Sequence, residues 1–240
     1  MPRAFMLIIS MLLYFPVQVF ADFYVIPGGG PPAGTEIRST PYIISSPGMY
    51  FLKKNLSCPA GTHCITIAAD DVTLDLMGFS LSGSGGTGNF DGIHIVQRKN
   101  VEVRNGTILN FQRNGVMESG ATFLEGRHRM INLRLYGNGV NGISLASELN
   151  TIIGCTATHN ASTGIYSGAG SVFRDNVCSY NKFGLMAAHY ASVIGNSCTR
   201  NSLIGIFCGP QCLIVDNVAI LNGSRNIYTQ ASVLERNLAP

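Results

Sequence analysis

Residues 160–180, NASTGIYSGAGSVFRDNVCSY, are followed by 181–200, NKFGLMAAHYASVIGNSCTR, and by 201–221, NSLIGIFCGPQCLIVDNVAIL. Each block opens on Asn, places a Gly–aliphatic pair three or four residues later, and carries a second Asn fifteen or sixteen residues in. The Gly–aliphatic series extends upstream through Gly142-Ile143, Gly115-Val116, Gly92-Ile93 and Cys64-Ile65, and downstream to Asn226-Ile227. One asparagine column reads Asn110, Asn138, Asn160, Asn181, Asn201 and Asn222. A second reads Asn105, Asn176, Asn196, Asn217 and Asn237, with Leu133 and Cys155 standing in at two coils.

A repeat near 21 residues is too short for a strand and a return helix, which together need roughly 30 residues. Each repeat is therefore made of short strands and turns, and stacked repeats bury a common core. Asp71-Val72-Thr73-Leu74-Asp75-Leu76 and Asn100-Val101-Glu102-Val103-Arg104 alternate with period two, as strands with one wet face do. The segments 151–153, 172–173 and 213–215 are apolar on both parities, so pattern alone leaves their inward face open. Stacked asparagines suit the corners, because an amide both donates and accepts and the residue tolerates left-handed backbone. Six-residue periodicity and a leucine-rich signature are both absent. The expected architecture is an all-β, right-handed parallel β-helix of about eight coils.

Around this repeat the chain divides readily. Arg3, the apolar run FMLIISMLLYF and Val19-Phe20-Ala21 resemble a secretory signal peptide over residues 1–21, which predicts a secreted or periplasmic protein. Residues 22–40, with Gly28-Gly29-Gly30-Pro31-Pro32, read as an extended lead-in, 41–62 as a cap or first coil, 63–237 as the helix and 238–240 as a tail. No later stretch has the 18 apolar residues of a membrane span. A net charge of +3 without a Lys/Arg cluster argues against nucleic acid as partner. Seven cysteines suit an oxidising compartment: Cys58 and Cys64 flank a turn and could close a small disulfide loop, with Cys208 and Cys212 a weaker pair. No histidine spacing supports zinc. With no cap after Asn237, the last rung is a place for self-association.

The segment Ile67 to Phe79, the segment Val101 to Ile108 and the Asn-x₂₋₄-Gly-Ile units resemble bacterial exported proteins of the pectate-lyase-like superfamily over residues 41 to 237. That resemblance implies the fold and a polysaccharide or cell-surface glycan as ligand, through enzymes or adhesins. It does not extend to the catalytic elements of such enzymes. Asp70-Asp71 is the one adjacent acidic pair, and no Asn-Thr-Asp, Gly-His-Gly, Arg-x-Lys or Asp-Pro-His-Asp element is present.

Two sets of residues are candidates for function. Aligned two positions after each strand-leading residue stand Thr66, His94, Met117, Ser144, Tyr166, Met186, Phe207 and Tyr228, an expected outward stripe that with the loop Ser82 to Asp91 would contact a glycan. As a lyase or hydrolase, the chain would instead use Asp70, Asp71, Asp75, Asp91, His94 and Arg104 as its catalytic cluster. Asp75 and Arg104 are expected to pair across adjacent coils. The approach of Asp70 or Asp91 to that pair would make a uronate or calcium site; no other cofactor is implied. His63, His128, His159 and His189 fall near turns and share no apparent column, so a histidine metal cluster is not expected. Cys178 and Cys198 align with Ala157 and Ala219 and read as inert packing.

Overall fold

The computed structural model describes residues 34–86, 88–120 and 125–240, so the expected signal segment and most of the lead-in lie outside the described residues. The chain coils into a right-handed parallel β-solenoid. One sheet has nine strands, from Tyr42–Ile44 to Arg225–Tyr228, one per coil. The other has 16 strands in two runs. They merge upstream because Glu102–Leu109 and Arg129–Tyr136 each pass without a break through the bend that later coils interrupt. Neighbouring strands pair in parallel throughout, and Thr35–Glu36, inside the expected lead-in, already pairs with Tyr50–Phe51. Tyr42–Ile44 pairs with Ile65–Ile67, so the segment that could have been a cap supplies a coil of its own.

Three inward columns fill the core. Ile65, Ile93, Val116, Ile143, Ile165, Leu185 and Ile206 stack from the nine-stranded sheet. Leu74, Val103, Met130, Ile152, Phe173, Val193 and Ile214 stack from the opposite wall, which settles the inward parity of the segments apolar on both faces. Leu81, Ile108, Leu135, Ala157, Cys178, Cys198 and Ala219 complete the interior. A hydrogen bond with Cys198 and burial push the Cys178 thiol up, in keeping with inert packing. In the last coil the second column ends at Leu234, which is 50% exposed. The repeating glycines have a steric cause. A Cβ on Gly92, Gly115, Gly142, Gly164 or Gly184 would come within 2.5–2.7 Å of the carbonyl oxygen of the next glycine in the column.

The asparagine ladders run through buried corners. Asn138, Asn160, Asn181 and Asn201 each pass an amide hydrogen bond to the next member's Oδ1, at 2.9–3.2 Å, and the chain ends through Asn222 on Asn226. The second ladder runs Asn176, Asn196, Asn217, Asn237 at 2.9–3.0 Å. Each side-chain oxygen also accepts the backbone N–H of the preceding coil, as Asn196 Oδ1 does from Asn176.

Two expected members fall outside. Asn110 and Asn105 sit at the left-handed corner one residue earlier, with φ of 57° and 56°. Their column mates are Gly137, His159, Tyr180 and Arg200 for Asn110, and Asn132, Gly154 and Asp175 for Asn105, all with positive φ. The shared residue type hid two different duties, since left-handed backbone and a bridging amide both favour Asn. In the same register Arg104 stands opposite Ile131.

Cys58 and Cys64 form a disulfide, whereas Cys208 and Cys212, the weaker expected pair, are free thiols. Among the described residues no helix is long and apolar enough to cross a membrane.

Asn196 Nδ2 also donates to the Phe173 and Ile194 carbonyls, so Asn196→Ala leaves several buried partners unmet. It should cost about 2–4 kcal/mol, at one to three kcal/mol for each buried group left unpaired. Asn110→Gly, at an exposed left-handed corner, should change stability by less than about 1 kcal/mol. Urea unfolding midpoints of the two variants check this contrast.

Candidate functional site

A third corner column precedes the nine-stranded sheet, two residues ahead of each inward aliphatic: His63, Asp91, Asn114, Asn141 and Thr163. Here too a side chain on one coil accepts the backbone N–H of the next. Asn141 Oδ1 accepts from Thr163, Asn114 Oδ1 from Asn141, Asp91 Oδ1 from Asn114, and His63 Nδ1 from Asp91, all at 3.0–3.1 Å. Two successive coils thus place an imidazole and a carboxylate in a structural position of the ladder.

Asp91 is fully buried. Its Oδ1 accepts Arg113 Nε at 2.9 Å and Asn114 Nδ2 at 2.8 Å; its Oδ2 accepts Arg113 Nη2 at 2.6 Å and His94 Nδ1 at 2.9 Å. Burial alone would push this carboxyl up, but the hydrogen bonds from His94, Arg113 and Asn114 outweigh it and hold Asp91 below the usual carboxylate range. His94 projects outward from Ile93–Val96, and its Nε2 lies 3.0 Å from Ser119 Oγ on the neighbouring strand Val116–Ser119. The His63 ring stacks on His94 with centroids 4.0 Å apart and planes 23° apart, while Phe90 meets it edge-on. Burial and the neighbouring His94 lower the His63 pKa below 6.5, against the pull of Asp91.

His63, Asp91 and His94 bring three donor atoms within 4.8 Å of one another, so two histidines do converge, contrary to the expectation from sequence. His63 is the column mate of Asp91, and that alignment was available from its place two residues before Ile65. The donor set nevertheless suits a proton chain better than a metal. A guanidinium nitrogen already sits 2.6 Å from the shared carboxylate oxygen, and the His63 Nδ1 lone pair is engaged by a backbone N–H.

The six expected catalytic residues divide into three groups, and no hydrogen bond or ion pair joins the groups among the described residues. Asp91 pairs with His94. Asp75 pairs with Arg104 at 2.7 Å, as expected, with Asn105 and the Met77 N–H completing its shell and Glu102 on the far side of Arg104. Asp70 and Asp71 line a third site with Lys99, Asn100, Glu125 and Arg127, where Asp70 accepts the Lys99 N–H and Asp71 the Asn100 amide. Arg113, Asn114 and Ser119 were missed. Arg113 lies in a turn that no periodicity marks, and Ser119 ends a strand as an unremarkable serine.

The outward stripe runs in register across eight strands: Thr66, His94, Met117, Ser144, Tyr166, Met186, Phe207, Tyr228. Every member is partly exposed, and Phe207 stacks on Tyr228 with centroids 5.4 Å apart. Arg225 lies over the Tyr228 ring and Lys182 over Phe183.

Coil geometry and ladder chemistry together define a right-handed parallel β-helix. The model of the right-handed beta helix region matches residues 119–238, and the chain belongs to that family. Among solved structures, the A-module of mannuronan C-5 epimerase AlgE6 from Azotobacter vinelandii is similar with a TM-score of 0.58 and 15% identity, over 79% of this chain and 61% of that one. The Dettilon tailspike protein (gp208) is similar with a TM-score of 0.50 and 12% identity, over 85% of this chain and 54% of that one. This chain therefore spans less than two thirds of either, and the likeness is one of fold. No curated protein matches the sequence.

Because the folded pKa values of both His63 and Asp91 are depressed, the unfolded chain binds more protons wherever these groups titrate. Their contribution to stability is present above pH 6.5 for His63 and above pH 3.8 for Asp91, and it is lost on acidification below each. In an NMR titration His63 should titrate below 6.5 in the native protein. It should move upward in His94→Gln, which removes a neighbour that lowers it.

Proposed function

We propose that this chain is an exported carbohydrate-interacting protein, secreted or periplasmic, that lays an extended polysaccharide along the outer face of the nine-stranded sheet. The observation that carries this is the in-register stripe from Thr66 to Tyr228. At ~4.8 Å between strands it extends over roughly 34 Å, the length of an oligosaccharide rather than of one sugar. Aromatic and thioether side chains offer apolar faces to sugar rings, and the half-buried polar groups at the His94 end offer hydrogen bonds. Arg225 over the stripe's Tyr228, and Lys182 over Phe183 on the same sheet, favour an anionic chain such as a uronate polymer.

Glycoside cleavage by paired carboxylates has less support on this face. Asp91 is enclosed and fully hydrogen-bonded, and Glu118, the residue before Ser119, is turned inward to His128 and the Ser147 N–H. Calcium is not needed to bring the polymer here, because the carboxylate at this end already has Arg113 as counter-ion.

Tyr166→Ala combined with Phe207→Ala should weaken binding of uronate oligosaccharides at least about tenfold, the effect of losing roughly 1.4 kcal/mol of contact. The thermal midpoint should move only by a few degrees, because both side chains are outward. Isothermal titration against a panel of acidic and neutral oligosaccharides, with and without chelator, measures this. Unchanged affinity in the double variant would remove the stripe from the binding face.

A further inference from the structure

We propose that Ser119 is a nucleophile, activated by His94 and Asp91, that cleaves carboxylic esters, and that its natural substrate is an O-acyl group on the bound polysaccharide. The identity of the alcohol rests on the function proposed above; the chemistry of Ser119 does not. An ionised carboxylate can only accept, so the proton between Asp91 Oδ2 and His94 belongs to Nδ1. In the neutral ring Nε2 is then an acceptor, and the 3.0 Å contact with Ser119 is a hydroxyl donating to it. Serine, imidazole and buried carboxylate thus stand in an unbroken hydrogen-bonded chain, the constellation that is recognised by geometry rather than by sequence order.

The surroundings hold that chain in place. Arg113 grips Asp91 with two nitrogens, Asn114 adds its amide, and His63 stacks against the imidazole plane. Asp91 and Arg113 act through His94 and are positioning residues. Ser119 and His94 both lie on the outer, partly exposed side of the sheet, in line with the stripe that would hold the polymer. A purely structural purpose does not account for the Ser119 end, since the ladder already terminates at Asp91 and His63 without it.

In the first half-reaction the Ser119 Oγ–H passes its proton to His94 Nε2 as Oγ bonds to the ester carbonyl carbon. Collapse of the tetrahedral adduct breaks the bond to the sugar oxygen, which leaves with the proton from His94 as a free hydroxyl, and Ser119 is acylated. Water then attacks the acyl-serine, giving a proton to His94. When the Ser119 Oγ–C bond breaks, Oγ recovers that proton, releasing the carboxylic acid and restoring the starting state. No oxidant or metal enters the balance.

The test uses a fluorophosphonate probe and p-nitrophenyl acetate on the full chain. The expected result is one phosphonyl adduct, mapped to Ser119 by peptide mass, and release of p-nitrophenolate that depends on pH. Ser119→Ala should lose both. Asp91→Asn keeps an acceptor of the kind that Asn114 and Asn141 supply in the same column, so it should fold, yet it should label at least about 100-fold more slowly and with an altered pH profile. A folded protein with no adduct on Ser119, or an Asp91→Asn variant with unchanged rate and pH profile, overturns the proposal. If Ser119 is labelled but acylated polysaccharides are neither bound nor deacylated, the nucleophile stands and the carbohydrate function falls. If polysaccharide binds and Ser119 stays unlabelled, the reverse holds.

Discussion

At each corner of the coil the backbone turns away from the sheet, and its N–H must find an acceptor on a neighbouring coil. Everything else in this solenoid depends on that requirement. Buried amide groups left without partners cost about 1–3 kcal/mol each, and a stack of coils multiplies the demand by the number of corners. The chain answers it with side chains aligned along the axis: Asn138 to Asn226, Asn176 to Asn237, and His63 to Asn141. A fourth set meets the same need with mixed types, where His128 accepts from Val101, Asn150 from His128 and Ser171 from Asn150.

Only the acceptor is required, so the position tolerates any residue that offers one in the right place. Where the solenoid is purely structural, asparagine serves, because its amide can also donate onward. Where imidazole or carboxylate takes the place, the same hydrogen bond holds a titratable group in a fixed pose, at no extra conformational cost. The Glu118–His128 pair is the inward version of this substitution: both side chains are buried, and the hydrogen bonds from His128 and Ser147 overcome burial to hold Glu118 low. Asp91 is the outward version. It is held by Arg113 and bonded to His94, so the rigidity of the coil is passed to the His94 ring and through it to Ser119 on the outer face.

Much of this was legible in one dimension because the repeat makes the alignment for itself. The Gly–aliphatic column, the inward Ile and Leu, the outward stripe and the Asp75–Arg104 pair all follow from a period near 21 and from strand alternation. Asn105 and Asn110 went astray for a physical reason. A left-handed corner and a bridging amide lie one residue apart and select the same residue type, so the first coils could be aligned in either of two ways. The candidate site was legible by halves. Asp91 and His94 stood out by position, but His63, Arg113 and Ser119 reach them from other coils, through a turn and a diagonal contact that strand counting does not report.

By itself the sequence determined the coil: periodic glycines where no Cβ fits between rungs, amides where corners need acceptors, and alternating aliphatics where a wall faces a core. These are local requirements that recur in every repeat, and repetition makes them readable. Which polar groups meet was decided only by the tertiary structure. Side chains 23 to 28 residues apart in the chain become close neighbours when the coils stack, as Asp91 does with Asn114 and with His63. The length of each upstream coil sets which ones coincide. A one-residue change in that length would leave the composition nearly untouched and put a different set of residues around His94.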